Sequence, residues 1–525
     1  MSSYKSFILR DRIIRNSNLS PMSRKILLTL EEPSLINNQA DVDKVKRTLE
    51  RELDAPVNIC LAKMNIISSK CRSGQWKMTV TVGKKNAGWD VIDVEEGHVE
   101  TPLYGLAVDV GTTTAVVYLV DLTTGDIVEE EADYNLQSTL GEDILTRIYI
   151  AGTERGLHRL QDAVLQTLNG LQRELCKRNG IDAQKVAAAA LAGNTTMIHL
   201  LLGLNPANIC MAPYTPVVND PGFLTAQEVG LNINTAAPVY CLPGIGSYVG
   251  GDAVAGVLVS GMHKKDGIGL LVDIGTNGEM IMGNQDWLVA CAGAAGPALE
   301  GGVAEAGMRA EPGAVEQVTI DSGGSVSYKV IGGKQARGIC GSGLVDCLAQ
   351  MFLAGIIDRA GKFKKGDHYT VVQAAESATG KDIVVTQRDI NNLMRTKGAV
   401  SAALELLLES VGCTLEDLGS FYAAGAFGQF LNLESAITIG MYPDLPRERM
   451  FRLGNSAGEG ARLALVSEAK RMELEQIKSH VTYFELNANE VFMNKFVSSK
   501  FLPHTNLNYF PTVKANMARH GLITE

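Results

Sequence analysis

Residues 105–125 read GLAVDVGTTTAVVYLVDLTTG, and residues 269–280 return to the pattern as GLLVDIGTNGEM. In each copy a buried-looking apolar run ends in one acid, Asp109 or Asp273. A turn follows, made of Gly111, Thr112, Thr113 and Thr114 in the first copy and of Gly275, Thr276 and Asn277 in the second. A tight turn between two buried strands points backbone N–H groups out of the sheet edge, and glycine lets a phosphate reach them without meeting a Cβ. The acid cannot hold phosphate itself. It can hold Mg²⁺ through water, and the metal then bridges phosphate oxygens. Two facing turns would clamp a polyphosphate from opposite sides. One copy alone is also what an ordinary hairpin with locally bonded Asp and Thr looks like; the aligned repeat favours the phosphate reading.

The surrounding pattern sets the fold. Residues 1–20 are polar and charged, closed by Ser20-Pro21. KILLTL (25–30) reads as a strand, and DVDKVKRTLEREL (41–53) puts Val42, Val45, Leu49 and Leu53 on one helical face. VNICLAK, WKMTVTVG and DVIDVEEG read as further strands, which gives a small α+β domain over 21–101. From residue 102 strands alternate with helices. LTTGDI is a hairpin turn, 156–180 an amphipathic helix, and KVAAAALAGNTTMIHLLLG (185–203) a strand, a polar turn and a helix. GICGSGLVDCLAQMFLAGIID (338–358) is a glycine loop opening a helix, and FYAAGAFGQFL (421–431) a strand running into a glycine turn. Two strand–turn–strand cores, each elaborated with helices, make an α/β chain with internal pseudo-symmetry, divided at about 102–265 and 266–525. GNSAGEG (454–460) is a weaker echo of GNTTM (193–197).

The chain has 525 residues, 20% charged and 46% hydrophobic, with a formal net charge of −10. That balance excludes general affinity for nucleic acid or an anionic membrane. No apolar run is long enough for a membrane span and the start has no signal-peptide core, so a cytoplasmic protein is expected. None of the nine cysteines lies in a CxxC pair or in C-x4-C-x2-C spacing, and the histidines form no HxxxH or HExxH set. Reduced structural thiols are expected, with no iron–sulfur cluster and no zinc site.

Two further glycine motifs fit a nucleotide. In AAGAFG, Gly425 and Gly428 let a flat purine lie against backbone. In GICGSG, Gly341, Ser342 and Gly343 open a helix, where N–H donors favour an anion. Together the motifs resemble the actin, sugar-kinase and Hsp70 superfamily. The ordered set YGLAVDVGTTT, NLQSTLGEDILTRI, GNTTMIHLLLG, LLVDIGTNGEM, AAGPALEGG, GMRAEPGA, GICGSGLVD, AGAFG and GNSAGEGA narrows this. It resembles the reductive activators of corrinoid-dependent enzymes, from about Ser23 almost to the C-terminus.

The resemblance implies a duplicated, RNase H-like ATPase core that binds Mg-ATP and drives Co(II) to Co(I) on a corrinoid protein or methyltransferase. The corrinoid belongs to that partner, and the working unit is a homodimer. It implies Asp109 and Asp273 as the metal-holding acids, Glu279 and Glu300 as candidates to orient the hydrolytic water, and Gln137 and Asp143 as residues within reach. The segment 21–101 corresponds on this resemblance to the family's middle domain. Two departures stand out. Members usually carry four cluster-binding cysteines in an N-terminal ferredoxin domain, so a separate ferredoxin or flavoprotein is expected to bring the electron. Many relatives also have small hydroxyl residues after the cysteine of Cys291-Ala292-Gly293, which would suit an approach to the corrinoid. A regulatory ATP-dependent module for such a partner and a small-molecule kinase are the alternatives.

Overall fold

The structure, a computed structural model, describes residues 19–275, 278–293, 304–321, 323–484 and 491–523. The described residues divide into two compact units, 19–259 with 457–479 and 260–456 with 480–523. Among the described residues no helix is long and apolar enough to cross a membrane.

The first unit begins with β1 (Ser23–Thr29), α1 (Asp41–Leu53), β2 (Val57–Asn58), α2 (Leu61–Ser73), β3 (Lys77–Lys85) and β4 (Gly88–Glu96), in a sheet ordered β1-β3-β4-β2. Val45, Leu49 and Leu53 bury one face of α1 against Ile67, Met78 and Val80. VNICLAK departs from expectation. Only Val57–Asn58 pair as a strand, and Leu61 opens a helix whose inward face is Ile67 and Cys71.

The unit continues with β5 (Tyr104–Val110), β6 (Thr114–Asp121), β7 (Ile127–Tyr134), α3 (Ile144–Ile150), α4 (Glu154–Asn179), β8 (Val186–Gly193), α5 (Thr195–Leu201), β9 (Phe223–Thr225), α6 (Ala226–Val229), β10 (Pro238–Cys241) and α7 (Gly251–Ser260). The sheet order is β7-β6-β5-β8-β10-β9, with β5, β6 and β7 an antiparallel meander and β8 and β10 added in parallel. Every residue of β8, VAAAALAG, is buried, as a parallel strand covered on both faces requires. In α4 the buried Leu160, Val164, Leu168, Leu171 and Leu175 form the inward stripe, Thr153 caps the start, and Gly180 ends it at φ +64°. A Cβ on Gly156 would lie 1.9 Å from the Ile150 carbonyl, so only glycine lets α3 run into α4 this closely.

The second unit contains β11 (Ile268–Ile274), β12 (Gly278–Gly283), β13 (Leu288–Gly293), β14 (Ala314–Ile320), β15 (Val326–Val330), β16 (Gly338–Ile339), α8 (Gly341–Leu353), β17 (His368–Val372), β18 (Ile383–Thr386), α9 (Gln387–Ser410), β19 (Leu418–Ala424), α10 (Gly425–Phe430), α11 (Leu433–Thr438) and β20 (Met450–Gly454). Helices α12 (Ser456–Val466) and α13 (Glu468–His480) lie almost wholly in the first unit, and β21 (Val481–Tyr483), α14 (Val491–Ser498) and α15 (Pro511–Arg519) complete the second. The main sheet is ordered β20-β19-β11-β12-β13-β21. With the short edge strands β9 and β21 set aside, each sheet, counted from its own first strand, reads 3-2-1-4-5, an antiparallel meander extended by two parallel strands. The duplication seen in the two glycine turns extends to the whole core.

Two sequence expectations change. FYAAGAFGQFL is a strand followed by the short helix α10, not by an open turn; Gly425, at φ +74°, makes the break. GNSAGEG follows the fifth strand of its sheet, whereas GNTTM follows the fourth, so the two are not equivalent. The counterpart of the β8 end is Ala424-Gly425.

The C-terminal segment is fastened to α9 by a buried lysine. The Lys397 ammonium donates to the carbonyls of Ser499, Phe501 (2.9 Å) and Pro503. Lys397→Met strands three acceptors, so a loss of about 2–4 kcal/mol is expected. A lowered melting temperature, with faster amide exchange confined first to 499–510, checks it.

Candidate functional site

The first turn is held from both sides by asparagines. A Cβ on Gly111 would fall 2.2 Å from the Thr114 carbonyl, so the turn closes only around glycine. The buried Asn135 donates its side-chain N–H to Gly111 O at 3.0 Å and its backbone N–H to Thr113 O at 2.9 Å. Asn194, which caps α5 by accepting from Met197 N, donates from Nδ2 to the Thr112 hydroxyl at 3.0 Å. Thr112 keeps its own hydroxyl proton for an outside acceptor. Asp109 is half-buried beside this turn, opposite Val116 on β6 and Ala192 on β8. Thr114 is exposed at the start of β6.

Gln137 and Asp143 have structural work in this unit. Gln137 donates to Leu160 O at 2.8 Å and accepts from Arg147 at 3.2 Å. Arg147 is itself fully buried, with Nε donating to Gly141 O at 2.8 Å. Asp143 caps α3 by accepting from the Thr146 N–H and hydroxyl. Burial pushes its carboxyl up, and those two bonds, the Leu145 N–H and the Arg147 charge together more than offset this to leave it below the ordinary value.

In the second unit Asp273 ends β11 with Ala424 paired on one side and Glu279 on the other, and Glu279 pairs in turn with Ala292 of β13. Paired residues on adjacent strands point to the same face, so this row sets two acids side by side. The first unit has Val116 where the second has Glu279. A Cβ on Gly425 would lie 2.3 Å from Asp273 Oδ1, so the carboxylate abuts bare backbone. Gly428 is required where α10 folds back on β19, since its Cβ would meet the Ala423 carbonyl carbon at 2.6 Å. Ala292, which lacks the hydroxyl expected at this place in relatives, stands in the row of Asp273 and Glu279. Gly275 lies at the edge of the described residues; Thr276, Asn277 and Glu300 lie outside them.

Gly341, Ser342 and Gly343 are buried at the start of α8, where the Ser342 hydroxyl donates to Glu316 O at 3.0 Å and a Cβ on Gly343 would meet Val315 O at 2.3 Å. What is observed there is close packing of α8 on β14. The buried thiols are likewise packing groups. Burial pushes Cys71 up to about 11 and Cys241 and Cys291 up to about 12, so they remain protonated at neutral pH. Among the described residues no group of three His, Cys, Asp or Glu side chains is placed to hold a metal.

Three residues escaped the sequence reading. Asn135 and Asn194 brace the first turn, and the signal was their place just after a strand. The third is Asp252, half-buried in the first turn of α7, whose preceding Gly250 would put a Cβ 2.5 Å from Asn194 Cα. Burial pushes the Asp252 carboxyl up to about 6, against a hydrogen bond from Ala253 N–H. The Gly-Gly-Asp opening a helix was the available sign.

Known proteins share this architecture. Residues 14–101 match the RACo linker region, 104–265 the RACo middle region and 267–514 the C-terminal domain of RACo, the ASKHA domain. The chain is 32% identical over 478 residues to the corrinoid activation enzyme RamQ of Eubacterium limosum, covering 87% of this chain and 79% of RamQ. The chain belongs to the RACo family. The Co(II) methylated amine-specific corrinoid protein reductase of Methanosarcina barkeri is 23% identical over 427 residues, 75% of this chain and 76% of its own. A solved reductive activator for corrinoid, iron-sulfur protein is similar at a TM-score of 0.88 and 39% identity, across 95% of this chain and 82% of that one. The fold is therefore the actin-like ATPase fold of the RACo family. In the family's own division 14–101 is the linker region, so the name "middle" belongs to 104–265 and not to the small α+β part.

Helix α5, which Asn194 caps, carries a pH dependence. His199 is buried on α5; its Nδ1–H donates to Thr195 O at 2.7 Å, and Nε2 accepts from Val217 N–H at 3.0 Å. Burial holds the ring below its ordinary value of 6.5, against the Thr195 bond. As pH falls the unfolded chain takes up this proton first, so the contribution is complete above about 6.5 and is lost below it. Urea unfolding at pH 7.5 and 5.5 is expected to give a smaller stability loss in His199→Gln than in the wild type. The difference in slope approaches about 1.4 kcal/mol per pH unit.

Proposed function

We propose that this chain is an ATP-dependent activator of a corrinoid protein, using nucleotide turnover to drive Co(II) to Co(I) with an electron from a separate ferredoxin or flavoprotein. The observation that carries this reading is the continuous run of RACo segments over 14–514, on a core in which each 3-2-1-4-5 sheet has an acid at the end of its first strand. The corrinoid stays on the partner, and the family resemblance gives a homodimer as the working unit.

The residues fit Mg-ATP. Around Asp109 and Asp273 the candidate ligands are oxygen donors, which suit a hard cation, and at 425 bare glycine backbone abuts the Asp273 carboxylate. Asp109 and Asp273 would hold Mg²⁺ through water. The bound ion would neutralise phosphate oxygens. Gly111, the Thr112 and Thr113 hydroxyls and backbone, and the Gly275 turn donate to the phosphates. Gly425 and Gly428 offer flat backbone to the purine. Glu279, beside Asp273, orients the attacking water; Asp252, two residues past the Gly250 that packs on Asn194, is a second candidate acid. Because Co(II) reduction is uphill, each step of about 59 mV against the electron costs a factor of ten. Turnover overcomes such a gap when its nucleotide states bind the partner's redox forms unequally.

The nine cysteines carry no cluster spacing, and those buried in the cores are held as thiols, which supports an external electron source. The same fact favours a second reading, an ATP-dependent module that binds and regulates a corrinoid protein without reducing it. Anaerobic absorption spectroscopy separates the two. A Co(II) corrinoid protein mixed with this chain and a low-potential reductant is expected to develop the Co(I) band only when Mg-ATP is added. Partner-responsive ATP turnover with no Co(I) would leave only the regulatory reading.

Gly425→Ala tests the second half of the site. It forces a Cβ to 2.3 Å from the Asp273 carboxylate at a left-handed φ, so ATP turnover is expected to fall at least about tenfold. Nucleotide titration and steady-state turnover measure it, and Asp273→Asn gives a loss of similar size.

A further inference from the structure

The first unit carries a groove that the nucleotide chemistry leaves unused. It is open, encloses about 920 Å³, and runs between α3 with the start of α4 on one side and residues 207–211 on the other. Its apolar lining is displayed to solvent: Leu145 is 63% exposed, Tyr149 86% and Met211 52%. The charged residues of the lining are Arg155 and Arg159, one helical turn apart on α4. Both are exposed, and among the described residues neither has a carboxylate within 4 Å. On a chain of net charge −10, a groove whose charges are both positive is a local reversal of sign.

Each wall of this groove is wired to the turn that faces phosphate. On one side α3 carries Arg147, which donates to Gln137. Asn135 stands two residues earlier and bonds Gly111 O and Thr113 O. On the other side Tyr214 N–H bonds Met211 O at 2.7 Å, and the Ser247 hydroxyl donates to Tyr214 O at 2.5 Å. Next to Ser247, Gly246 O accepts from the Thr195 hydroxyl at 2.6 Å, and the adjacent Asn194 holds Thr112. A body pressed into the groove therefore bears on both braces of the turn, and by reciprocity the turn's occupancy bears on the groove.

We propose that this groove docks the corrinoid protein, through a face that presents an apolar patch bordered by acidic side chains. The assignment rests on the activator reading above and adds to it the surface, its charge and its connection to the nucleotide turn. Apolar contact with Leu145, Tyr149 and Met211 supplies the centre of such an interface, and Arg155 and Arg159 steer and orient the approach.

The test uses the full chain and each corrinoid protein of the source organism, purified with cobalamin as Co(II), in equilibrium binding at two salt concentrations. Arg155→Glu with Arg159→Glu is expected to weaken binding at least about tenfold and to flatten its salt dependence. Tyr149→Ser with Met211→Ser is expected to weaken it by a similar factor with the salt dependence kept. Both pairs are surface changes and keep the wild-type melting temperature and basal ATP turnover. In the wild type, hydrogen exchange of 145–159 and 207–214 slows when the partner binds. Unchanged affinity in both pairs, or protection only elsewhere, overturns the docking assignment and leaves the activator reading standing. A wild-type chain that binds none of these proteins overturns both.

Discussion

An acid at the end of a central strand, followed by backbone that has no room for a side chain, is the constraint from which the rest of this structure follows. At Gly111 the obstacle is the Thr114 carbonyl, 2.2 Å from where a Cβ would stand; at Gly425 it is the Asp273 carboxylate itself, at 2.3 Å. The two positions are not the same place in the repeat. Gly111 follows the first strand of its sheet and Gly425 the fourth. Each sheet thus keeps bare backbone at the carboxyl ends of its inner parallel strands, where ligands of open α/β sheets collect. The alanine strand β8, the long helices α4 and α9 and the separate core of each unit keep those strand ends where they are.

The halves have diverged where chemistry would require it. Asp273 has Glu279 across the strand pair, whereas Asp109 has Val116. Two carboxylates side by side repel unless a cation or a proton intervenes. The first unit contributes a different asset. Its turn is braced by Asn135 and Asn194, and those braces reach a surface groove through short chains of hydrogen bonds. A nucleotide device connected to a docking face is what an activator needs if ATP is to change the behaviour of a metal it never touches.

Much of this was legible in the sequence because it is local. Periodicity located α1 at 41–53, the run VAAAALAG marked a strand, and the two DxGT turns revealed the duplication. VNICLAK misled because Val57, Ile59 and Leu61 look like a strand's alternation, while the helix that starts at Leu61 buries only Ile67 and Cys71 and leaves Leu61 and Met64 exposed. The GNSAGEG echo misled for a different reason: identical residues can end strands four and five, and only topology tells them apart. Asn135 and Asn194 were hidden because their partners lie far away in sequence, as with Asn194 and Thr112. Gln137 and Asp143 were read toward the nucleotide because they share a motif; the structure spends them on a buried arginine and a helix cap.

The central claim is that ATP turnover moves an electron uphill onto cobalt, and a potential titration tests it most directly. The Co(I)/Co(II) ratio of the partner would be followed against donor potential with this chain and Mg-ATP, then with a non-hydrolysable analogue. The account predicts that ATP lets Co(I) form at donor potentials where the analogue gives none, the curves separating by at least about 59 mV, a factor of ten in the ratio. Superimposable curves would contradict it.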